Sequence, residues 1–259
     1  MELQMKNSIS SICFLLLALC SASAYAQTVS RGIALDYDVE PTGLSPAFPA
    51  GFSCEPIASP FGADERFDGS TRRGDRNAGK HGGMDISLAI GTPVRAMASG
   101  RVIAKGVGGY LEGIYLWMLH TPSDSGLPFS SVVKFQHLNE LPALQIGERV
   151  TTGQVVAHSG LTGTTGGRAF GPNGYPHLHV SLFVADSFPV SAETGEVRVP
   201  PRSGRLSDPL LFFMPPNADL NGIGRLSAEM TKFPVAAVGS DGQPLGAATK
   251  VVWPVACKR

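Results

Sequence analysis

The sequence predicts an all-β fold, on three observations. Of its 259 residues, 31 are Gly and 20 are Pro, about 20% of the chain. That is too many turn formers for a helical bundle, and still below the range of disordered or collagen-like chains. From Ser59 to about Met214 short apolar stretches alternate with Gly-rich turns, the pattern of short strands. Helical spacing of apolar residues is not sustained over ten positions anywhere. With 43% hydrophobic residues the chain can bury a real core. Its 21 basic and 21 acidic residues leave no net charge, so it has no basic field to hold nucleic acid and no acidic tail.

Residues 12–20 (ICFLLLALC) are apolar, preceded by Lys6 and followed by small residues that end in Ala24-Tyr25-Ala26. This reads as a secretory signal peptide over 1–26, cut before Gln27. The run is shorter than the roughly 18 residues a membrane span needs, and a lipoprotein reading through Cys20 is disfavoured by Leu19 in front of it. Cleavage removes Cys13 and Cys20 and leaves Cys54 and Cys257. In an exported chain this pair can form one disulfide across a loop of about 200 residues; two unpaired buried thiols are the alternative. Residues 27–55, with Pro41, Pro46 and Pro49, form an irregular lead-in that could also lie over a binding groove as a plug.

Strands are predicted at Met84–Leu88, Val94–Ala98, Arg101–Lys105, Ile114–Leu119, Val132–His137, Gln154–His158 and His177–Val184. Three long connections, 120–130, 160–176 and 185–207, are expected to be cleft walls. The boundaries are read as a domain over 56–215 and an extension over 216–259, with a late strand-like stretch at Lys250–Trp253.

The histidines carry the chemistry. On a strand His177 and His179 share a face with residues 181 and 183, opposite an apolar row of Leu178, Val180, Leu182 and Val184. Two imidazoles together suit metal binding or acid–base work. In His81-Gly82-Gly83-Met84-Asp85 the glycines argue against a helix; His81 is read in a turn that folds back towards Asp85 at the start of a strand. The spacing alone often arises by chance, and a solvated loop His beside a strand Asp is the plain alternative. Alternation puts His137 on the same face as Val133 and Phe135, at a strand end. Together these residues match the parts of a catalytic zinc site, with nitrogen and oxygen ligands and basic side chains nearby. His120 and His158 end other strands and are read as structural, or as outer partners of the site's residues.

In its ordered motifs the sequence resembles the lysostaphin/LytM-type zinc metalloendopeptidases, which cut peptide bonds in bacterial peptidoglycan. The resemblance runs from Ser59-Pro60-Phe61-Gly62 through the His81–Asp85 motif, Gly91-Thr-Pro-Val-Arg-Ala96, Phe135-Gln-His137-Leu138, Gly153-Gln-Val-Val156 and His177-Leu-His179 to Asp208-Pro209. It implies an antiparallel β-sheet, sandwich-like domain with a groove for an extended peptide. It also implies one zinc per chain held by His81, Asp85 and His179, with His137 and His177 as catalytic histidines. The expected partners are stem or cross-bridge peptides of peptidoglycan, met by a periplasmic or secreted monomer with no transmembrane anchor after signal cleavage. A non-catalytic wall-binding or amidase-activating module is the alternative, although such relatives are expected to lack some of these five residues. The chain departs from the family pattern at Phe135, where a Tyr is usual, at Val180-Ser181, where Phe-Glu is common, and in the longer stretch between Thr162-Gly163 and Pro176.

Overall fold

The computed structural model describes residues 37–109, 111–164, 173–189, 204–215, 230–245 and 249–259. The predicted signal peptide lies outside them, as do parts of the 160–176 and 185–207 connections. Among the described residues no helix is long and apolar enough to cross a membrane.

The strands, in chain order, are β1 (Ser45–Ala47), β2 (Ile57–Ser59), β3 (Met84–Ser87), β4 (Pro93–Arg95), β5 (Gly100–Val107), β6 (Ile114–His120) and β7 (Ser130–Leu138). They continue with β8 (Arg149–Val150), β9 (Val155–His158), β10 (His177–Ala185), β11 (Arg205–Ser207), β12 (Lys232–Pro234), β13 (Ala237–Val238) and β14 (Pro244–Leu245). Seven of these fall on the predicted stretches, to within a few residues at each end.

The frame is an eight-stranded sheet in the order β2-β3-β10-β7-β6-β5-β8, with β11 paired to the far end of β10. Every pairing in it is antiparallel. Alternation decides what each face carries. On β10, Leu178, Val180, Leu182 and Val184 are at most 3% exposed and lie in one core cluster with Met84, Ile86, Leu116, Met118, Val133 and Phe135. Fully burying such a side chain is worth about 1.5–3 kcal/mol relative to leaving it exposed, so the even-numbered positions fix the register of β10.

The same cluster contains Val94, Val156, Ala157, Leu210, Leu211, Phe212, Ala237, Trp253 and Val255. Residues near both ends of the chain therefore share the core with the sheet. The lead-in is tied down at two points: β1 pairs in parallel with β12, and Cys54 is disulfide-bonded to Cys257. The predicted strand at Lys250–Trp253 does not form. Val251 makes a single bridge with Ala98; residues 95–98 run alongside through the Val252 amide to the Met97 carbonyl and the Arg95 amide to the Pro254 carbonyl, but the Trp253 amide turns away to Ala236, so no continuous ladder forms.

The 120–130 connection also departs from expectation. It links β6 to β7 at the end of that hairpin opposite His137 and contains a helical turn at Pro122–Ser125. Asp124 there pairs with Arg149, and the Ser123 carbonyl accepts a hydrogen bond from Lys250. It buttresses the far end of the sheet, because β6 and β7 are long enough to carry it away from the histidines.

Candidate metal centre

Antiparallel pairing of β3 and β10 places Asp85 directly across from His179. His81 reaches them from the preceding turn, whose backbone is pinned to a neighbouring loop: the His81 amide donates to the Ala63 carbonyl, and the Gly62 amide donates to the His81 carbonyl. Gly83 permits this approach. A Cβ built there would stand 2.7 Å from His179 Nε2, so a side chain at 83 would displace the imidazole.

Three ligand atoms converge as a result. His179 Nδ1 lies 2.8 Å from Asp85 Oδ1, His81 Nε2 lies 3.1 Å from His179 Nδ1, and His81 Nε2 lies 3.2 Å from Asp85 Oδ1. In a tetrahedral zinc site with bonds of about 2.0–2.1 Å, neighbouring ligand atoms are about 3.3 Å apart. The triangle is thus close to the size zinc requires. His81, Asp85 and His179 also form the one group of three or more potential ligands found among the described residues.

The partners of each ligand leave its lone pair pointing inwards. His81 Nδ1 sits 2.9 Å from the Pro60 carbonyl, which can only accept, so Nδ1 carries the proton and Nε2 is bare. His179 Nε2 lies 2.9 Å from Ser181 Oγ, a partner that lets Nδ1 face the cluster unprotonated. A carboxylate oxygen and two imidazole nitrogens at these distances need a proton or a metal ion among them. Outer partners of this kind orient metal-binding histidines.

His177 and His137 stand beside the cluster. His177 Nδ1 donates to the Tyr175 carbonyl at 2.8 Å, and its Nε2 faces Asp85 Oδ1 at 3.6 Å. The Tyr175 ring stacks on His177 and on Phe67, while its hydroxyl meets Ser87 Oγ. His137 Nδ1 donates to the Thr162 carbonyl at 2.8 Å, and its ring centroid is 4.4 Å from that of His177.

For His137, simple alternation is overturned. It predicts the face of Val133 and Phe135, which is the core face, yet His137 turns to the side of His177 and His179 and Leu138 enters the core. The cause is a bulge. Leu116 pairs with Phe135 but Ile114 pairs with Leu138, so β7 carries one extra residue. His137 absorbs it with a φ of +62°, in the left-handed region that non-Gly residues seldom occupy.

Burial sets the charge state. It pushes the His137 imidazole down to about 3, with the neighbouring imidazoles of His177 and His179 adding to the shift. It pushes His179 down to about 4 and also lowers His177, in both cases against the pull of Asp85. For Asp85 burial alone would act upwards, but the surrounding imidazoles outweigh it and hold the carboxyl well below the usual carboxylate range. At neutral pH these four groups are therefore one carboxylate and three neutral imidazoles, the forms in which such residues bind metal.

Residues 79–190 match the model of peptidase family M23. That stretch, which holds His81, Asp85, His137, His177 and His179, is similar to this family. Over 103 residues it is 29% identical to the glycyl-glycine endopeptidase ALE-1 of Staphylococcus capitis, a match covering 40% of this chain and 24% of that protein. Over 108 residues it is 28% identical to lysostaphin of Staphylococcus simulans, covering 42% of this chain and 19% of lysostaphin. The chain thus matches less than a quarter of the length of either relative. In three dimensions it is similar to the catalytic domain of lysostaphin, at 26% identity over 54% of this chain and 84% of that one, with a TM-score of 0.36.

Within this M23-like stretch the structure brings all five sequence-predicted residues together: His81, Asp85 and His179 in one triangle, with His137 and His177 against it. His120 and His158 lie elsewhere. His120 is fully buried against Phe212 and donates from Nδ1 to the Ser99 carbonyl, and His158 meets Glu140. Sequence reasoning did not single out Ser181, Ser59 or Arg72 as partners of the ligands. Ser181 was legible as a member of the polar row of β10, and it stands where the family often has Glu. For Arg72, thirteen residues before Asp85 on a loop, the sequence carried no signal.

Proposed function

We propose that this chain is an exported zinc metalloendopeptidase that hydrolyses peptide bonds of bacterial peptidoglycan. The observation that carries the reading is the convergence of His81, Asp85 and His179, with the imidazoles of His137 and His177 beside them, each held at Nδ1 by a backbone carbonyl. In it, His81 Nε2, Asp85 Oδ1 and His179 Nδ1 hold one zinc ion. When bound, zinc supplies Lewis acidity, polarising the scissile carbonyl and making water a nucleophile near neutral pH.

The chain's own residues do the rest. His177, held at Nδ1 by the Tyr175 carbonyl, takes a proton at Nε2 from the attacking water and returns it to the departing amine. His137, fixed by the Thr162 carbonyl, presents its Nε2 from the other side, where it steadies charge on the carbonyl oxygen or shares the proton. The peptide substrate follows from the endopeptidase relatives, and the peptidoglycan target from the family resemblance. Export is supported by the disulfide, which suits an oxidising compartment. On this reading residues 1–26 are the signal peptide, and the mature monomer works in the periplasm or outside the cell.

Digestion of purified peptidoglycan tests the reading. Release of peptides that stops with a chelator and returns with zinc is the expected result. Binding to the wall with no release, with or without zinc, would instead support a non-catalytic wall-binding or amidase-activating module.

A further inference from the structure

Arg72 is 8% exposed, and burying a guanidinium is unfavourable unless it is paired and hydrogen-bonded. Its partners are specific. Nη2 donates to Ser59 Oγ at 3.0 Å and to Asp85 Oδ2 at 3.4 Å, and Nε donates to the Glu65 carbonyl at 3.4 Å. The choice of carboxylate oxygen matters. Oδ1 of Asp85 faces the imidazoles of His81, His177 and His179, whereas Oδ2 is the oxygen that meets Arg72. Ser59 Oγ, held by the same guanidinium, stands 3.4 Å from His81 Nδ1. One buried cation therefore touches one ligand directly and a second through a hydroxyl.

We infer that Arg72 is a positioning residue of the metal centre. It occupies Oδ2, so that Asp85 offers a single oxygen, and through Ser59 it braces the His81 ring against the same loop. This rests on the zinc reading above. Arg72 does not touch substrate. Its effect is on how tightly, and with how many oxygens, the chain holds the ion. A guanidinium is suited to the task because Nη2 serves both Ser59 and Asp85 while Nε, in the same rigid plane, is anchored on the Glu65 carbonyl.

The test is zinc affinity of the purified full-length chain, read by competition with a chelating dye, alongside the visible absorption of the cobalt-substituted protein. For Arg72→Gln a zinc Kd raised about 10- to 100-fold is expected, the usual effect of removing an outer partner of a ligand. Cobalt absorption should also weaken as Asp85 turns both oxygens to the metal and coordination rises above four. A purely structural Arg72 would lower the melting temperature of the metal-free chain and leave both readouts of the folded protein alone. Wild-type Kd and spectrum in Arg72→Gln overturn the proposal. If that variant does not fold, Ser59→Ala removes the other half of the brace, and the same rise in Kd is expected at smaller size; no rise overturns it. A wild-type chain that takes up no zinc in this assay would instead remove the zinc reading itself, a result distinct from any behaviour of the variants.

Discussion

Single atoms decide what each side chain around Asp85 is able to do. His177 keeps its Nε2 lone pair because Nδ1 is committed to the Tyr175 carbonyl. Its replacement by Ala should leave zinc bound and lower peptide release by about 10²–10⁴-fold; metal analysis beside a hydrolysis assay checks this, and a fully active His177→Ala would sink the role. Asp85→Ala removes a ligand atom and should empty the site, so full zinc occupancy in that variant would refute ligation. Asp208, which senses the charge of His81 but is not one of the converging residues, offers a test in stability. Burial raises its carboxyl to about 6, although Thr42 and the Leu210 amide both hydrogen-bond to it. A raised carboxyl favours the folded state below its unfolded value of about 3.9 and loses that contribution as pH climbs through about 6. Asp208→Asn keeps the acceptor for Leu210 and does not ionise. Relative to wild type it should gain about 1–3 kcal/mol between pH 4 and pH 7.5, measured by denaturant unfolding at both pH values; a constant difference would count against it.

At the scale of elements, alternation made most of the strands legible. β10 is the clearest case, since its even positions are core residues and its odd ones carry His177, His179 and Ser181. The same rule failed at His137, and for a physical reason: one extra residue in β7 reverses every later side chain, and nothing in Phe135-Gln136-His137-Leu138 marks where it sits. The site is assembled by pairings between distant residues, so its ligands could be named from motif and resemblance, whereas the brace from Arg72 depends on how a loop folds back. Gly82 and Gly83 were legible as helix breakers, but the stronger demand on Gly83 comes from β10. Gly83→Ala should press its methyl into His179, weaken zinc binding and cost about 1–3 kcal/mol. Thermal unfolding with and without zinc checks this, and unchanged behaviour in both would mean that the strands move apart more easily than their packing suggests.

Across the whole molecule, described residues on both sides of the sheet segment, Leu44 before β2 among them, belong to the core that supports the site. Phe233, Val235, Trp253 and Val255 pack in the same cluster as Leu178 and Val180, and Cys54–Cys257 joins positions 203 apart in sequence. Replacing both cysteines by Ser should cost about 2–5 kcal/mol while leaving the zinc triangle in place. Denaturation midpoints and zinc content separate the two effects, and a loss of zinc at full stability would contradict that division. The pairing of the two cysteines was open in the sequence, because it depends on the tail returning to the start of the domain.

That return makes the chain close to a circle. Ser53 and Lys258 exchange backbone hydrogen bonds beside the Cys54–Cys257 bond, so the disulfide closes the polypeptide from 54 to 257 into a covalent ring. A ring can be cut once without losing a piece. A protease that nicks one exposed loop between these cysteines leaves a single molecule whose halves stay joined until a reductant opens the bond, and a redesigned chain could begin and end at such a loop with its old ends fused. If the chain is exported as proposed, survival of a first cut among other hydrolases would be a property of its topology rather than of any one contact.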